Sequence, residues 1–251
     1  MEIKNSQWKV VRIWAWLTAV FAAVCFLPSF IDMEGMIKGD IFTVHDVNER
    51  ITLIRFFAGF FGSFGIIALI FYSKRARQLD GLLKGNDVLA RWFFSTEEWL
   101  QYAEYDYQED KSTKTTLFYV ITSLSLIIGI VLSIISGDIL FLYIMLGLIV
   151  ILAIAAFGSI YVGRKINLAR TGYVLISTKS VLLNGAFHNW TSIGARLENV
   201  TYIDNVSPTI IALEYSFLSS SGRQGVAIRI PVPTKEREKV TQIIDKIRNA
   251  N

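Results

Sequence analysis

Residues 117–162 read LFYVITSLSLIIGIVLSIISGDILFLYIMLGLIVILAIAAFGSIYV, and this stretch decides the fold. It consists of two apolar blocks, at about 117–135 and 139–162, separated only by Ser136-Gly137-Asp138. A membrane-spanning helix needs about 20 mostly apolar residues, so each block is long enough to cross a bilayer. The short polar connection predicts that the two helices form an antiparallel hairpin.

Two more apolar blocks lie nearer the amino terminus, at about 11–30 and 51–72. A secretory signal peptide is the alternative for the first, because Lys4, Lys9 and Arg12 stand at its start. We expect a retained helix, since the block is long, rich in aromatic residues and without a clean small-residue cleavage site. The sequence therefore predicts an α-helical membrane protein with four transmembrane helices in two hairpins.

The composition limits the classes of function. Of 251 residues, 53% are apolar and 18% are charged, which excludes a disordered chain. Cys25 is the single cysteine, so a disulfide framework and a cysteine-based zinc site are excluded. His45 and His188 leave little for a metal centre, and no phosphate-loop, nucleophile-elbow or zinc-protease motif occurs. We therefore expect no enzyme activity, no metal and no cofactor.

Lys and Arg residues predict the orientation of the spans. They are concentrated at the amino-terminal end, in residues 73–115 and after the fourth block, whereas the loop at 31–50 is mainly acidic. Positive residues mark cytoplasmic segments, and acidic residues contribute little to this bias. We expect both termini and residues 73–115 to be cytoplasmic, with the 31–50 loop and the Asp138 turn outside.

The second block contains a charge and several small residues. Arg55 is an intramembrane charge, which by default marks a candidate functional residue, but it lies about one turn from the boundary and its side chain can reach the headgroups. Ala58 with Gly62, and Gly59 with Ser63, are small-xxx-small pairs that allow close helix packing. They predict either dimerisation or, as we favour, packing against a helix of the same chain.

Residues 73–115 are too long for a simple connection. An apolar run at 88–94 predicts a short strand, and Ser95-Thr96-Glu97-Glu98 has the form of a capping box that begins a helix. That helix can continue into the third span. Four acids follow on one side, and we expect a solvated face there rather than a catalytic or cation-binding pair. They are Glu104, Asp106, Glu109 and Asp110.

Residues 79–107 of this segment would expose a large apolar patch if they stood alone. The patch comprises Leu82, Leu83, Trp92, Phe94, Trp99 and Leu100. It is too apolar to be left in water without a partner. We predict that the segment packs on the C-terminal domain and that its strand extends the sheet of that domain, covering an exposed edge. The alternative is that the aromatic residues lie in the membrane interface.

Short strands replace the apolar blocks after about residue 171. Asn184-Gly185 is a type I′ hairpin signal, and residues 209–218 alternate between apolar and polar side chains. A helix is predicted from Pro233-Thr234 onward because four apolar residues recur at helical spacing. These residues are Val240, Ile243, Ile244 and Ile247. We expect a mostly-β, α+β domain, built as a bent sheet or partial barrel and closed by the amphipathic helix.

Several short stretches of this domain carry a resemblance. They are Tyr173-Val174-Leu175-Ile176-Ser177-Thr178-Lys179, the Asn184-Gly185 turn, Trp190, and the residues from Leu197 to Val200. Strands followed by a closing helix, directly after a membrane hairpin, resemble the pleckstrin-homology-like (PH-like) domains of small bacterial membrane proteins. The resemblance implies location in the bacterial cytoplasmic membrane and a role in binding and assembly more than catalysis. The segment at 195–204 is predicted to be a strand, but its strand pattern is less regular than that of the others, and in this respect it departs from the usual form of PH-like domains.

Charge is unevenly distributed along the chain. Residues 164–251 carry 12 Lys and Arg residues against 6 Asp and Glu. Each basic residue near an anionic leaflet contributes about 1 kcal/mol of attraction, so Arg164, Lys165 and Arg170 are candidates for headgroup binding. The alternative is that they only fix the orientation. The positive residues are scattered and lack a recognition motif, so we expect no nucleic-acid partner.

We expect four parts: an N-terminal transmembrane hairpin at 1–72, a structured cytoplasmic loop at 73–115, a second transmembrane hairpin at 116–163 and a PH-like domain at 171–251. Two functions stay open. The first is a non-enzymatic membrane protein whose cytoplasmic domain binds a protein, a lipid headgroup or a second copy of itself. The second is a small oligomeric channel or transporter.

Overall fold

A computed structural model describes residues 4–26, 44–169, 172–192 and 194–251 of the chain. The chain divides into two compact units, Met1–Asn86 and Asp87–Asn251. Within the described residues, five α-helices and seven strands follow in the order α1 (Gln7–Phe26), α2 (Val44–Lys84), β1 (Val88–Phe93), α3 (Thr96–Ser136), α4 (Leu140–Leu168), β2 (Tyr173–Ser177), β3 (Ser180–Leu183), β4 (Ala186–Asn189), β5 (Arg196–Ile203), β6 (Ile210–Ser219), β7 (Gly222–Pro231) and α5 (Val240–Asn249).

The first unit is a pair of packed helices, α1 and α2. The second is longer than the apolar block at 51–72, because it continues through an amphipathic segment to Lys84. Near its end, Asp80 accepts hydrogen bonds from Asn5 Nδ2 and Trp8 Nε1, both at 2.8 Å. Most of the acidic loop predicted at 31–50 lies outside the described residues, and from Val44 onward that segment is helical.

The second unit begins with β1 and continues into the apolar hairpin of α3 and α4. The capping box is present, since the Ser95 side chain accepts from the Glu98 backbone N–H and the Glu98 carboxylate accepts from the Ser95 N–H. One helix of 41 residues then runs from Thr96 to Ser136, so the short helix and the third span are continuous. Gly137 ends it with φ of 68°, a conformation that glycine adopts without strain.

Two antiparallel sheets follow. The first has the order β1-β2-β3-β4 and the second the order β5-β6-β7. The β3–β4 turn has positive φ at Asn184 (48°) and Gly185 (88°), as a type I′ turn requires. The uneven segment at 195–204 forms β5, and its pairing with β6 shifts register between Leu197 and Asn199. Together β1–β7 and α5 are called the sheet domain below.

The strand predicted at 88–94 belongs to the sheet domain. It pairs antiparallel with β2, with Trp92 opposite Val174. Ala90 and Trp92 lie in the same hydrophobic core as the other strands, and Trp92 is only 4% exposed. The prediction that this strand extends the sheet of the C-terminal domain is confirmed, whereas Leu82 and Leu83, which the prediction grouped with it, belong to the first unit. The membrane-interface alternative is wrong for Trp92, since its ring is enclosed by protein.

A closing helix covers the core. Val240, Ile243, Ile244 and Ile247 are all buried there, as their spacing predicts. The α-helix begins later than the sequence suggests, because Thr234–Lys239 forms a 3₁₀ helix first. Those six residues are polar and present no apolar stripe, whereas Val240, directly after them, packs on the core.

Four of the described helices are long and apolar enough to cross a membrane. Their apolar side chains point outward: Ile134 and Ile135 on α3 are 75% and 77% exposed, whereas Ile176 in β2 is fully buried. Apolar surface on this scale is not left in water by a soluble protein. The apolar part of α3 starts at Leu117, and the residues before it form a polar extension.

Candidate functional site

The polar extension of α3 is fastened to the sheet domain by aromatic side chains. Trp99 is 3% exposed and donates a hydrogen bond from Nε1 to the Asn167 carbonyl at 2.8 Å. Tyr102, equally buried, donates from its hydroxyl to the Arg229 carbonyl on β7 at 2.9 Å. Burial raises the pKa of Tyr102 well above 10, which keeps its hydroxyl protonated and able to donate. This junction joins α3, α4 and the second sheet.

A charged cluster lies beside these aromatics. Arg229 Nη1 is 3.0 Å from Asp106 Oδ1 and 3.6 Å from Asp110 Oδ1. Asn167 Nδ2 donates to the other oxygen of Asp106 at 3.3 Å. Burial and the neighbouring Asp110 charge raise the pKa of Asp106, and Arg229 and Asn167 oppose that shift. The expectation of a solvated acidic face is wrong for Asp106, whose side chain is 24% exposed.

The basic residues proposed for headgroup binding are placed differently from one another. Arg164 lies against the α3 extension, with Nη2 3.0 Å from Glu104 Oε2 and its guanidinium 4.5 Å from the centre of the Tyr107 ring. Lys165 is exposed in the last turn of α4. Arg170 lies outside the described residues. Arg164 therefore has an intramolecular partner that its position in the sequence did not indicate.

The small residues of α2 fall on two different faces. Ala58 is 5% exposed, and a Cβ built on Gly62 would lie 3.7 Å from Phe21 Cβ of α1. Gly59 and Ser63 are exposed, and nothing lies within 4 Å of a Cβ built on Gly59. One pair thus faces α1, and the other faces away from it.

A groove lies between β1 and the closing helix. It encloses about 330 Å³, which is within the usual range of ligand sites. Four consecutive residues of β1, Leu89 to Trp92, form one wall. The opposite wall is a row of side chains from the 3₁₀ helix and α5: Glu236, Lys239, Gln242, Ile243 and Lys246.

The prediction that Trp99 packs on the C-terminal domain is confirmed, since Trp99 shares a buried cluster with Ile210 of β6, but no part of the sequence indicates the groove or the Arg229–Asp106 pair. Arg229 and Asp106 are 123 positions apart, and the groove combines residues that are separated in the sequence by α3 and α4. The one local signal was the apolar run at 88–94 placed before a capping box. Among the described residues, no group of three His, Cys, Asp or Glu side chains is arranged to hold a metal ion.

No protein-family model, curated protein or solved structure matches this chain.

Proposed function

We propose that the chain is a non-enzymatic integral membrane protein whose sheet domain is a binding or assembly module. The observation that carries this proposal is the open groove between β1 and α5. One wall of the groove is the strand β1, and the other wall carries charged side chains of the 3₁₀ helix and α5. A ligand could therefore contact both backbone groups and charged side chains. The groove residues include no arrangement of nucleophile and base, which favours binding over catalysis.

The membrane hairpin supports this role by fixing the module in place. β1 precedes the hairpin and β2 follows it, yet the two strands are neighbours in one sheet. Both ends of the hairpin therefore enter the same domain, and Trp99, Tyr102 and Arg229 brace the junction. A module held in this way keeps a fixed orientation relative to the membrane, which suits assembly at the bilayer.

Two further parts of the proposal rest on the sequence. The Lys and Arg bias favours both termini and the sheet domain on the cytoplasmic side of a bacterial membrane. Two antiparallel sheets closed by an amphipathic helix agree with the PH-like resemblance. That resemblance favours binding of a protein, a lipid headgroup or a second copy.

A site-specific photocrosslinker in the full-length protein tests the proposal in intact membranes. Gln242 lines the groove, whereas Asp245 is exposed on the same helix but outside it. We expect a discrete crosslinked product, protein or lipid, from position 242 that is absent from position 245. It should be lost when Lys239 and Lys246 are both changed to Glu. Absence of any product at 242, together with ion flux in proteoliposomes of the purified protein, would favour the channel or transporter instead.

A further inference from the structure

The strand β1 has an open edge. It is the outermost strand of its sheet, with β2 on one side and no strand on the other within the described chain. Phe94 donates from its backbone N–H to the Gly172 carbonyl at 3.1 Å. In an antiparallel sheet, hydrogen-bonded pairs alternate with non-hydrogen-bonded pairs. Trp92 lies two residues before Phe94, so Trp92 and Val174 also form a hydrogen-bonded pair. The backbone N–H and C=O of Arg91 and Phe93 therefore point to the open side.

The groove follows this edge. Successive side chains of a strand point to opposite faces, so a cavity that touches all of residues 89–92 meets β1 at its edge rather than on one face. Four residues of a strand span about 13 Å. The groove contacts these four consecutive residues, so it has the length of about four residues of extended chain.

The walls of the groove are basic. Arg91, Lys239 and Lys246 line it against a single acid, Glu236. Glu236 is already paired, with Lys239 Nζ 3.2 Å from its Oε2. Arg91 and Lys246 are exposed and make no ion pair among the described residues. The groove thus offers both unpaired backbone groups and positive charge.

We propose that the groove binds an acidic, extended segment of a partner protein, which adds to β1 as an antiparallel or parallel fifth strand. Strand addition uses the backbone groups at an exposed edge for affinity and side-chain contacts for specificity. The carboxylates of the segment pair with Arg91 and Lys246, whereas Lys239 already pairs with Glu236. This inference rests on the proposed function and assigns the chemistry of its ligand.

A synthetic peptide tests the inference on the full-length protein in nanodiscs of neutral lipid. The probe is a fluorescent eight-residue peptide of alternating Glu and Val. Two matched peptides accompany it: one carries Lys in place of Glu, and one carries N-methyl groups on every backbone amide, which removes the N–H donors of both edges without changing the charge. We expect the acidic peptide to bind, with affinity that falls as salt is raised, and both matched peptides to bind at least tenfold more weakly.

Variants locate the binding. The double variant K239E/K246E should lower the affinity for the acidic peptide at least tenfold. The variant K179E/K235E changes the net charge equally at exposed lysines that do not line the groove, and it should leave the affinity within about twofold. An unchanged thermal unfolding midpoint in both variants shows that they are folded.

Three results would overturn the inference. They are no binding of the acidic peptide, equal binding of the N-methylated peptide, and equal loss of affinity in both double variants. A lipid ligand would be identified by acetylation: anionic nanodiscs would then protect Lys239 and Lys246, whereas the peptide would not. If the peptide fails but the Gln242 crosslink persists and depends on those lysines, the inference is wrong and the proposed function stands.

Discussion

At the residue scale, Gly172 decides how closely the chain passes Trp99. A Cβ built on Gly172 would overlap the indole ring, and that ring is buried and hydrogen-bonded. Gly172→Ala therefore forces a buried side chain to move, and such overpacking typically costs about 1–3 kcal/mol. The cost is measured as the difference between the free energies of unfolding of the wild type and of Gly172→Ala in detergent. Gly225→Ala is the matched control, since nothing lies within 4 Å of its Cβ; an equal effect of both substitutions would show that the Trp99 contact is unimportant.

Asp106 should make stability depend on pH. Its pKa in the folded protein is raised above the ordinary 3.8, first by burial and then by Asp110. The folded state therefore binds the proton more tightly than the unfolded state, and this contribution to stability is lost as pH rises through the raised pKa. Relative to Asp106→Asn, the wild type should gain stability as pH falls from about 7 toward 4.

The pKa of Glu198 is shifted in the opposite direction, so its effect on stability should depend on pH with the opposite sign. The hydrogen bond from Arg196 lowers the pKa of Glu198, and Ser216 adds to this effect. Its contribution to stability is present above the ordinary pKa and is lost as pH falls. Relative to Glu198→Gln, the wild type should thus lose stability toward acid pH. Thermal unfolding midpoints across the pH range measure both differences, and slopes of the same sign would contradict the assignment of Asp106.

At the element scale, Gly65 determines the packing of α1 on α2. A Cβ on Gly65 would overlap the Thr18 side chain, which donates to the Trp14 carbonyl at 2.7 Å. Gly65→Leu should separate the two helices and reduce disulfide crosslinking between cysteines at Phe21 and Phe61, whose rings are 5.8 Å apart. Gly59→Leu places the same side chain where no neighbour lies within 4 Å, so it should preserve the crosslink. Loss of the crosslink in both variants would show that any added leucine disturbs the helix pair, and it would contradict the specific role of Gly65.

The elements were predictable where the signal is local. Apolar blocks, the Ser95 capping box, the Asn184-Gly185 turn and the stripe from Val240 to Ile247 each correspond to an element of the structure. Helix ends were less predictable. α2 extends beyond its apolar block to Lys84, and hydropathy detects only the apolar part. The start of α3 was predicted by the Ser95 capping box and not by hydropathy. The α-helix expected from Thr234 begins at Val240 because packing, not the preceding proline, determines where it starts.

The contacts that charged residues make with distant elements could not be predicted. Arg164 and Asp106 look like solvated or membrane-facing charges in the sequence, yet each has a partner on another element. Whether such a residue is solvated or paired depends on which strands and helices pack together. The residue type at one position does not indicate this. The groove was missed for the same reason, since its two walls come from opposite ends of the second unit.

At the scale of the whole molecule, sidedness is the property most open to test. In a Cys25→Ala background, a cysteine at Asp138, in the exposed turn between α3 and α4, should react with an impermeant maleimide added to intact cells. A cysteine at Ser221, in the exposed β6–β7 turn, should react only after the cells are opened. The Lys and Arg bias is the physical reason. Reaction of both positions, or of Ser221 alone, in intact cells would contradict the four-span orientation.

The central claim is that residues before and after the α3–α4 hairpin form one sheet. Arg91 and Leu175 are opposite each other in a non-hydrogen-bonded pair of β1 and β2, where Cα atoms lie about 4.5 Å apart and a disulfide can form. The direct measurement is oxidation of R91C/L175C in the Cys25→Ala background, followed by mass spectrometry of the digested membrane protein. The account predicts a disulfide-linked peptide pair, which R91C/S221C should not give. Failure of R91C/L175C to form this link in the folded protein would contradict the account.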